Sequence, residues 1–228
     1  MLVHVQNLLD SEQLNHFRQR LKAADAPWVD GRVTAGHQGI HVKQNQQIAE
    51  GSALSAELGS VVLAALERLP LFISAALPNL VYPPMFNRYE NGMHFGSHVD
   101  GSVRLLPTTG AKMRTDLSAT LFLAPPESYD GGELMVEDTY GAQSIKLAAG
   151  DMVLYPASSL HRVTPVTRGV RMACFFWVQS MVRDDGQRAL LFDLDNAIQR
   201  LTATGADDAA RVHLTGCYHN LLRMWSDI

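Results

Sequence analysis

The sequence has little cysteine, no surplus of basic charge and no long apolar run, and each shortage excludes something. Its two cysteines, Cys174 in an apolar strand-like run and Cys217 near the C-terminus, form no CxxC pattern. A disulfide framework and a thiolate metal knuckle are therefore excluded, and both read as buried free thiols. Nineteen basic against 23 acidic residues leave a net charge of -4, which gives no positive field for nucleic acid or an anionic membrane. The most apolar stretch, 59–84, is interrupted by Glu67, Arg68, Pro70 and Pro78, so it is no unbroken membrane-spanning helix. The start, MLVHVQNLLDSEQ, lacks the basic residues and continuous apolar segment of a secretory signal, and the expected location is the cytoplasm. Internal repeats and low-complexity segments are missing as well.

What is there is an ordinary globular composition, 46% hydrophobic and 18% charged over 228 residues, enough for a full core. Asp10 followed by Gln13 reads as a helix cap with its reciprocal partner, and Leu14, Phe17 and Leu21 recur at helical spacing, so a helix is expected over 11–24. Residues 28–47 are polar and glycine-dotted and suggest short strands joined by turns. His37 and His41 fall there, four apart, but Gly36 and Gly39 oppose a helix, so they read as polar loop residues near a site. The spacing of Leu54, Leu58, Val61, Val62, Ala65, Leu66 and Leu69 predicts an amphipathic helix ended by Pro70 and packed on a sheet. Residues 101–113 are rich in turn formers and read as a long mobile loop, placed to act as a lid.

Six strand-like runs follow, 116–123, 132–137, 143–147, 151–155, 161–164 and 170–179, separated by PPESYDGG, DTYG, AAG, PASS and VTRG. Short strands at this spacing predict a mainly β fold, a double-stranded β-helix or jelly roll. Leu190, Leu191, Leu194, Ile198 and Leu201, then Val212, Leu221, Leu222 and Trp225 after a break at 204–208, return to helical spacing. The expected organisation is a jelly-roll domain with N-terminal helices over 1–182 and a helical extension over 183–228. The extension is also where a homo-oligomer contact is expected. His213 and His219, six apart on a helix, face different ways and read as surface or packing residues.

The stretch FNRYENGMHFGSHVD carries the chemistry. In an extended chain residues two apart point the same way, so His98 and Asp100 converge on one side. An imidazole and a carboxylate are two of the three ligands of the 2-His-1-carboxylate facial triad that holds non-haem Fe(II). Composition alone supplies a His-x-Asp about as often as not, so the pair needs support. His161 is the candidate third ligand. A hairpin over 163–171 would set Arg171 across from His161 on the adjacent strand, near the metal. There a guanidinium would grip the far carboxylate of a chelating dicarboxylate.

The run HVD, an LHRVTPV about 60 residues later and an arginine ten residues beyond its histidine resemble the Fe(II)- and 2-oxoglutarate-dependent dioxygenase superfamily. Within it, NRYENGMHFGSHVDG, RTDLSATLFL, DGGEL, GDMVLYPASSLHRVTPVTRGVR and the tail ending NLLRMW are similar to the bacterial PKHD-type hydroxylases of the prolyl 4-hydroxylase-like branch. The resemblance implies His98, Asp100 and His161 as Fe(II) ligands and Arg171 as the partner of the distal carboxylate of 2-oxoglutarate. It puts Tyr89, on the strand expected to adjoin His98, close to the cosubstrate. It further implies dioxygen as reactant, ascorbate as a candidate accessory, and hydroxylation of a peptidyl or siderophore-like substrate with release of succinate and CO2. Some relatives are associated with siderophore-iron uptake. Arg171 stands where animal collagen-type enzymes have lysine, which sets the chain apart from them, and Asp100 fills the position that related halogenases vacate, which favours hydroxylation. Arg104, Lys112 and Arg114 near the expected mouth hint at an acidic or polar substrate. Two other readings stand beside this one: a non-catalytic iron or 2-oxoglutarate sensor, and a cupin-type metalloenzyme, whose extra histidines and glutamate 96–101 does not supply.

Overall fold

The computed structural model describes residues 1–138, 141–205 and 207–227. The tight turn expected at 139–140 and residue 206 in the interhelical break lie outside them. Helix α1 (Ser11–Lys22) starts where the sequence says it should. The Asp10 carboxylate accepts from Gln13 N at 2.8 Å while Gln13 Oε1 accepts from Asp10 N at 2.9 Å, which satisfies two otherwise orphaned amides. Leu14, Phe17 and Leu21 are its buried face, and Phe17 meets Phe86 edge-on at 5.9 Å. Helix α2 (Ala53–Glu67) buries Leu54, Leu58, Val62 and Leu66. It stops before Pro70, which instead opens another helix, α3 (Pro70–Ala76). Proline's missing amide costs nothing in a first turn, so the residue expected to end a helix begins one. No single helix among the described residues is long and apolar enough to cross a membrane, and α2 and α3, apolar together, meet at 86°.

Two antiparallel sheets form the body. The larger runs β1 (Val3–Val5), β14 (Met152–Pro156), β10 (Leu117–Phe122), β17 (Arg171–Ser180), β6 (Met85–Tyr89), β4 (Gln46–Ile48) and β2 (Trp28–Asp30), with β5 (Pro78–Val81) also pairing β17. The smaller runs β13 (Gly141–Ile145), β12 (Leu134–Asp138), β15 (His161–Val163), β7 (His94–His98) and β3 (Lys43–Gln44). Strands β10 and β17 lie inside the larger sheet, and their near-continuous burial matches their apolar sequences. This is the expected jelly roll with helices flanking it.

Two expectations give way to pairing that the local sequence does not announce. Residues 101–113 are no unpaired loop: β8 (Val103–Leu105) and β9 (Lys112–Arg114) make a hairpin. It is pinned where Arg104 lies over the rings of Tyr82 and Trp177, at 4.8 and 4.2 Å. Nor do 163–171 form a hairpin. A separate strand, β16 (Val166–Gly169), leaves to pair with β11 (Tyr129–Gly131), so the chain changes sheets between His161 and Arg171.

The tail folds back on its own chain. Helices α4 (Asp185–Thr204) and α5 (Asp208–Trp225) pack through Leu191, Tyr218, Leu221, Leu222 and Trp225 around Leu77 and Val182. Arg188 is buried there and donates to the carbonyls of Val182 and Arg183 and to Asp185. Leu222 and Trp225 are thus used within the chain, whereas Met224 is exposed. Both cysteines are free; Cys174 is buried, but Cys217 is exposed, against expectation. His213 and His219 lie on the exposed side of α5.

Candidate active site

His98 ends β7 and His161 begins β15, and the two are direct cross-strand partners, a pairing that brings side chains within about 5 Å. Three residues of β15, from His161 to Val163, oppose four of β7, from Phe95 to His98. The extra residue is a bulge that turns Phe95 and His98 to one side, where their rings stack 3.5 Å apart at 15°. Asp100 follows just beyond the strand and points the same way as His98. Nitrogen and oxygen donors of His98, Asp100 and His161 all lie within 4.8 Å of one another. The separations to the Asp100 oxygens are 4.0 Å from His98 Nε2 and 3.7 Å from His161 Nε2.

Both imidazoles are oriented by their own backbone. His98 Nδ1 lies 2.8 Å from Gly96 O, and His161 Nδ1 lies 3.0 Å from Ser159 O. A carbonyl can only accept, so each Nδ1 carries the proton and each Nε2 presents a lone pair to the cluster. Burial, reinforced by the neighbouring His161, pushes His98 down to about 4, which keeps its imidazole neutral at pH 7. Ser118 on β10 donates to Asp100 Oδ2 and fixes the carboxylate. Two imidazoles and one carboxylate form the donor set that suits a borderline divalent ion with open positions.

Arg171 arrives from the opposite sheet. It opens β17 and faces Tyr89 across the ladder, so Tyr89 adjoins the arginine and lies on the other sheet from His98. The expected neighbour relations are therefore exchanged: His161 pairs with His98, and Arg171 pairs with Tyr89. Only 1% exposed, Arg171 donates through Nε to Gly132 O at 2.9 Å. Its guanidinium lies 5.3 Å from the rings of Tyr89 and Phe122. Among the described residues no carboxylate comes within ion-pair distance of it. A buried cation without a counter-charge is costly, and it lines the same cavity of about 600 Å³ as the three donors. A ligand carboxylate would complete such a cavity electrostatically.

Gly132, the second glycine of DGGEL, explains that motif. At φ +70 a Cβ would fall 2.9 Å from Val166 Cγ2 and 3.0 Å from Arg171 Cδ. Only glycine adopts this backbone while leaving room for the arginine that its carbonyl holds.

The sequence reading missed Tyr155, Ser118 and Lys43. Tyr155 on β14 meets His161 edge-on at 5.3 Å, and burial, then the Asp100 charge, raise its phenol above the ordinary range. A lone polar-tipped residue in the buried run MVLY was its only signal. Lys43 on β3 is 4% exposed, and burial with Arg104 nearby pushes it down to about 8. Nothing in the polar stretch 28–47 marks that lysine as buried. His37 lines the cavity without joining the donor cluster.

A family model described as the 2OG-Fe(II) oxygenase superfamily matches residues 84–179, and one described as the PKHD-type hydroxylase C-terminal domain matches residues 185–227. A PKHD-type hydroxylase of Burkholderia ambifaria is 68% identical over 227 residues, covering 100% of both chains. One of Pseudomonas putida is 55% identical over 228 residues, again covering 100% of both. Among solved structures, a Pseudomonas putida prolyl-4-hydroxylase aligns with TM-score 0.53 at 19% identity, covering 78% of this chain and 92% of that one. A non-heme alpha ketoglutarate dependent carbocyclase from nogalamycin biosynthesis aligns with TM-score 0.56 at 18% identity, covering 79% and 80%. At those identities the structural likeness shows the fold alone.

Proposed function

Because the chain belongs to the PKHD-type hydroxylases of the 2OG-Fe(II) oxygenase superfamily, and so is a dioxygenase whose family uses Fe(II) and 2-oxoglutarate, we propose that His98, Asp100 and His161 hold the metal and Arg171 anchors the cosubstrate. The observation that carries this assignment is the buried, unpaired Arg171 facing the same cavity as three convergent donors. Bound Fe(II) with 2-oxoglutarate and dioxygen supplies the oxidising power for hydroxylation, leaving succinate and CO2. The chain's own part is orientation. The Nδ1 bonds to Gly96 and Ser159 fix which imidazole nitrogens face the ion, and Ser118 restrains Asp100. Arg171 holds the distal carboxylate with Gly132 O keeping the guanidinium in place, and the Tyr89 ring floors that pocket. Burial also excludes water from the reacting centre.

The substrate is read as peptidyl or siderophore-like, with a place in iron uptake and a cytoplasmic location. Residues 1–182 are read as the catalytic unit and 183–228 as its helical extension. The deciding experiment is succinate release in the presence of Fe(II), 2-oxoglutarate and a panel of peptides and siderophores. Release that rises with one substrate class supports the hydroxylase. Binding of 2-oxoglutarate with no turnover on any of them would favour the sensor.

Gly132 offers a separate check that leaves every proposed ligand in place. Gly132→Ala forces the backbone from its left-handed conformation or pushes Arg171 aside. Calorimetric titration is expected to show 2-oxoglutarate binding weakened by about tenfold or more, the worth of one charge-assisted contact. Unchanged affinity would mean that the arginine does not depend on this carbonyl.

A further inference from the structure

Resting on that hydroxylase reading, we propose that Lys43 and Arg104 form an anion subsite for the primary substrate, so that the molecule to be hydroxylated carries an oxyanion close to the oxidised carbon. Lys43 stands on the edge strand β3, opposite Phe95 of β7. Its Nζ lies 5.1 Å from the Phe95 ring, which itself stacks on His98 at 3.5 Å. One aromatic ring therefore separates the ammonium from a proposed metal ligand. Lys43 belongs to the smaller sheet and Arg171 to the larger one, so the two cations reach the cavity from opposite walls.

Among the described residues neither Lys43 nor Arg104 makes an ion pair. An ammonium has three donors, and the only hydrogen bond of Lys43 among the described residues is to Thr34 Oγ1 at 3.1 Å. Arg104 lies over Tyr82 and Trp177, and its buried Nε has no acceptor. Both line the cavity that holds the donor cluster. Of the acids lining that cavity, Glu50 accepts from the Tyr82 hydroxyl and Asp100 belongs to the donor cluster. Neither makes an ion pair with Lys43 or Arg104. After burial, the repulsion from Arg104 is the larger influence on Lys43 and exceeds the attraction of either Asp100 or Asp30, an arrangement that costs stability unless a ligand supplies a nearer anion. A neutral substrate would leave the repulsion between the two cations unrelieved when it closed the cavity to water.

Pyridoxal 5'-phosphate tests this without the natural substrate, because it joins an amine-reactive aldehyde to an oxyanion. The unprotonated Lys43 amine adds to the aldehyde with loss of water, and cyanoborohydride delivers hydride to the resulting imine carbon, leaving a secondary amine that peptide mass spectrometry locates. The enzyme is held without oxygen, with Fe(II) and saturating 2-oxoglutarate. Lys43 is expected to label at least about tenfold faster with pyridoxal phosphate than with 5'-deoxypyridoxal, which lacks the phosphate but cannot mask its aldehyde as an internal hemiacetal. Arg104→Gln is expected to remove most of that preference and Arg104→Lys to restore part of it. Equal rates for the two aldehydes in the unaltered protein, or labelling that spares Lys43, would overturn the subsite. Complete protection of Lys43 by 2-oxoglutarate would also overturn it, by giving these cations to the cosubstrate. Failure of the hydroxylase reading would appear separately, as absence of 2-oxoglutarate binding in calorimetry.

Discussion

His161→Ala is expected to lower Fe(II) affinity by well over about a hundredfold, a larger loss than the ten- to hundredfold that follows removal of a hydrogen-bond partner to a metal ligand. The effect follows from geometry. His98 and Asp100 sit on one continuous stretch, but His161 is held opposite them by the β7–β15 ladder, and no other donor joins the cluster among the described residues. The shortened side chain also leaves Ser159 O without the partner it has at 3.0 Å. Equilibrium dialysis followed by elemental analysis measures the outcome, with circular dichroism confirming the fold. Stoichiometric iron retained by this variant would remove the triad.

Arg171→Gln should divide the site differently. Loss of the guanidinium deprives the distal carboxylate of a charge-assisted, water-excluded partner, and 2-oxoglutarate affinity is expected to fall by about ten- to hundredfold or more. Iron affinity measured without cosubstrate should change by less than about threefold, since Arg171 stands on the other sheet and touches none of the three donors. Glutamine keeps a polar side chain at a position that is 1% exposed, which limits the cavity left behind. The same titration in both proteins decides the matter. A parallel fall in iron and cosubstrate binding would indicate general damage to the core, and undiminished 2-oxoglutarate binding would take Arg171 out of the site.

These two residues also show how far the sequence can be read. Local signals were reliable where they were reciprocal or periodic: Asp10 with Gln13 set the start of α1, and the six strand runs set the jelly roll. Arg171 was singled out by a hairpin argument and again by the family resemblance, and the hairpin that would have set it beside His161 misjudged the path. Chain distance does not reveal that 166–169 leaves to pair with 129–131, because the partner strand's YDG carries no apolar alternation. The hairpin over 103–114 was read as a loop for a similar reason. Arg104 makes that segment look solvated, yet its charge is spread over two aromatic faces. Lys43 was overlooked because burial is a tertiary property, and a lysine between polar neighbours gives no local sign of it. Tyr89 was expected on a strand adjoining His98 and instead pairs with Arg171 in the other sheet, since the turn at 90–93 crosses between layers.

That crossing gives the cavity a ruler. His98 and His161 project from one sheet and Arg171 from the other, so the interval between the donors and the guanidinium is set by the gap between packed sheets, about 10 Å before side chains fill it. With the two ends fixed to separate layers, the length of the dicarboxylate becomes the adjustable quantity. Removing one methylene, as in oxaloacetate, draws the far carboxylate back by about 1.3 Å. A charged hydrogen bond of about 2.8 Å does not survive that displacement. With Arg171 as the proposed anchor, selectivity for a five-carbon oxo acid would reside less in any single contact than in the thickness of the sandwich.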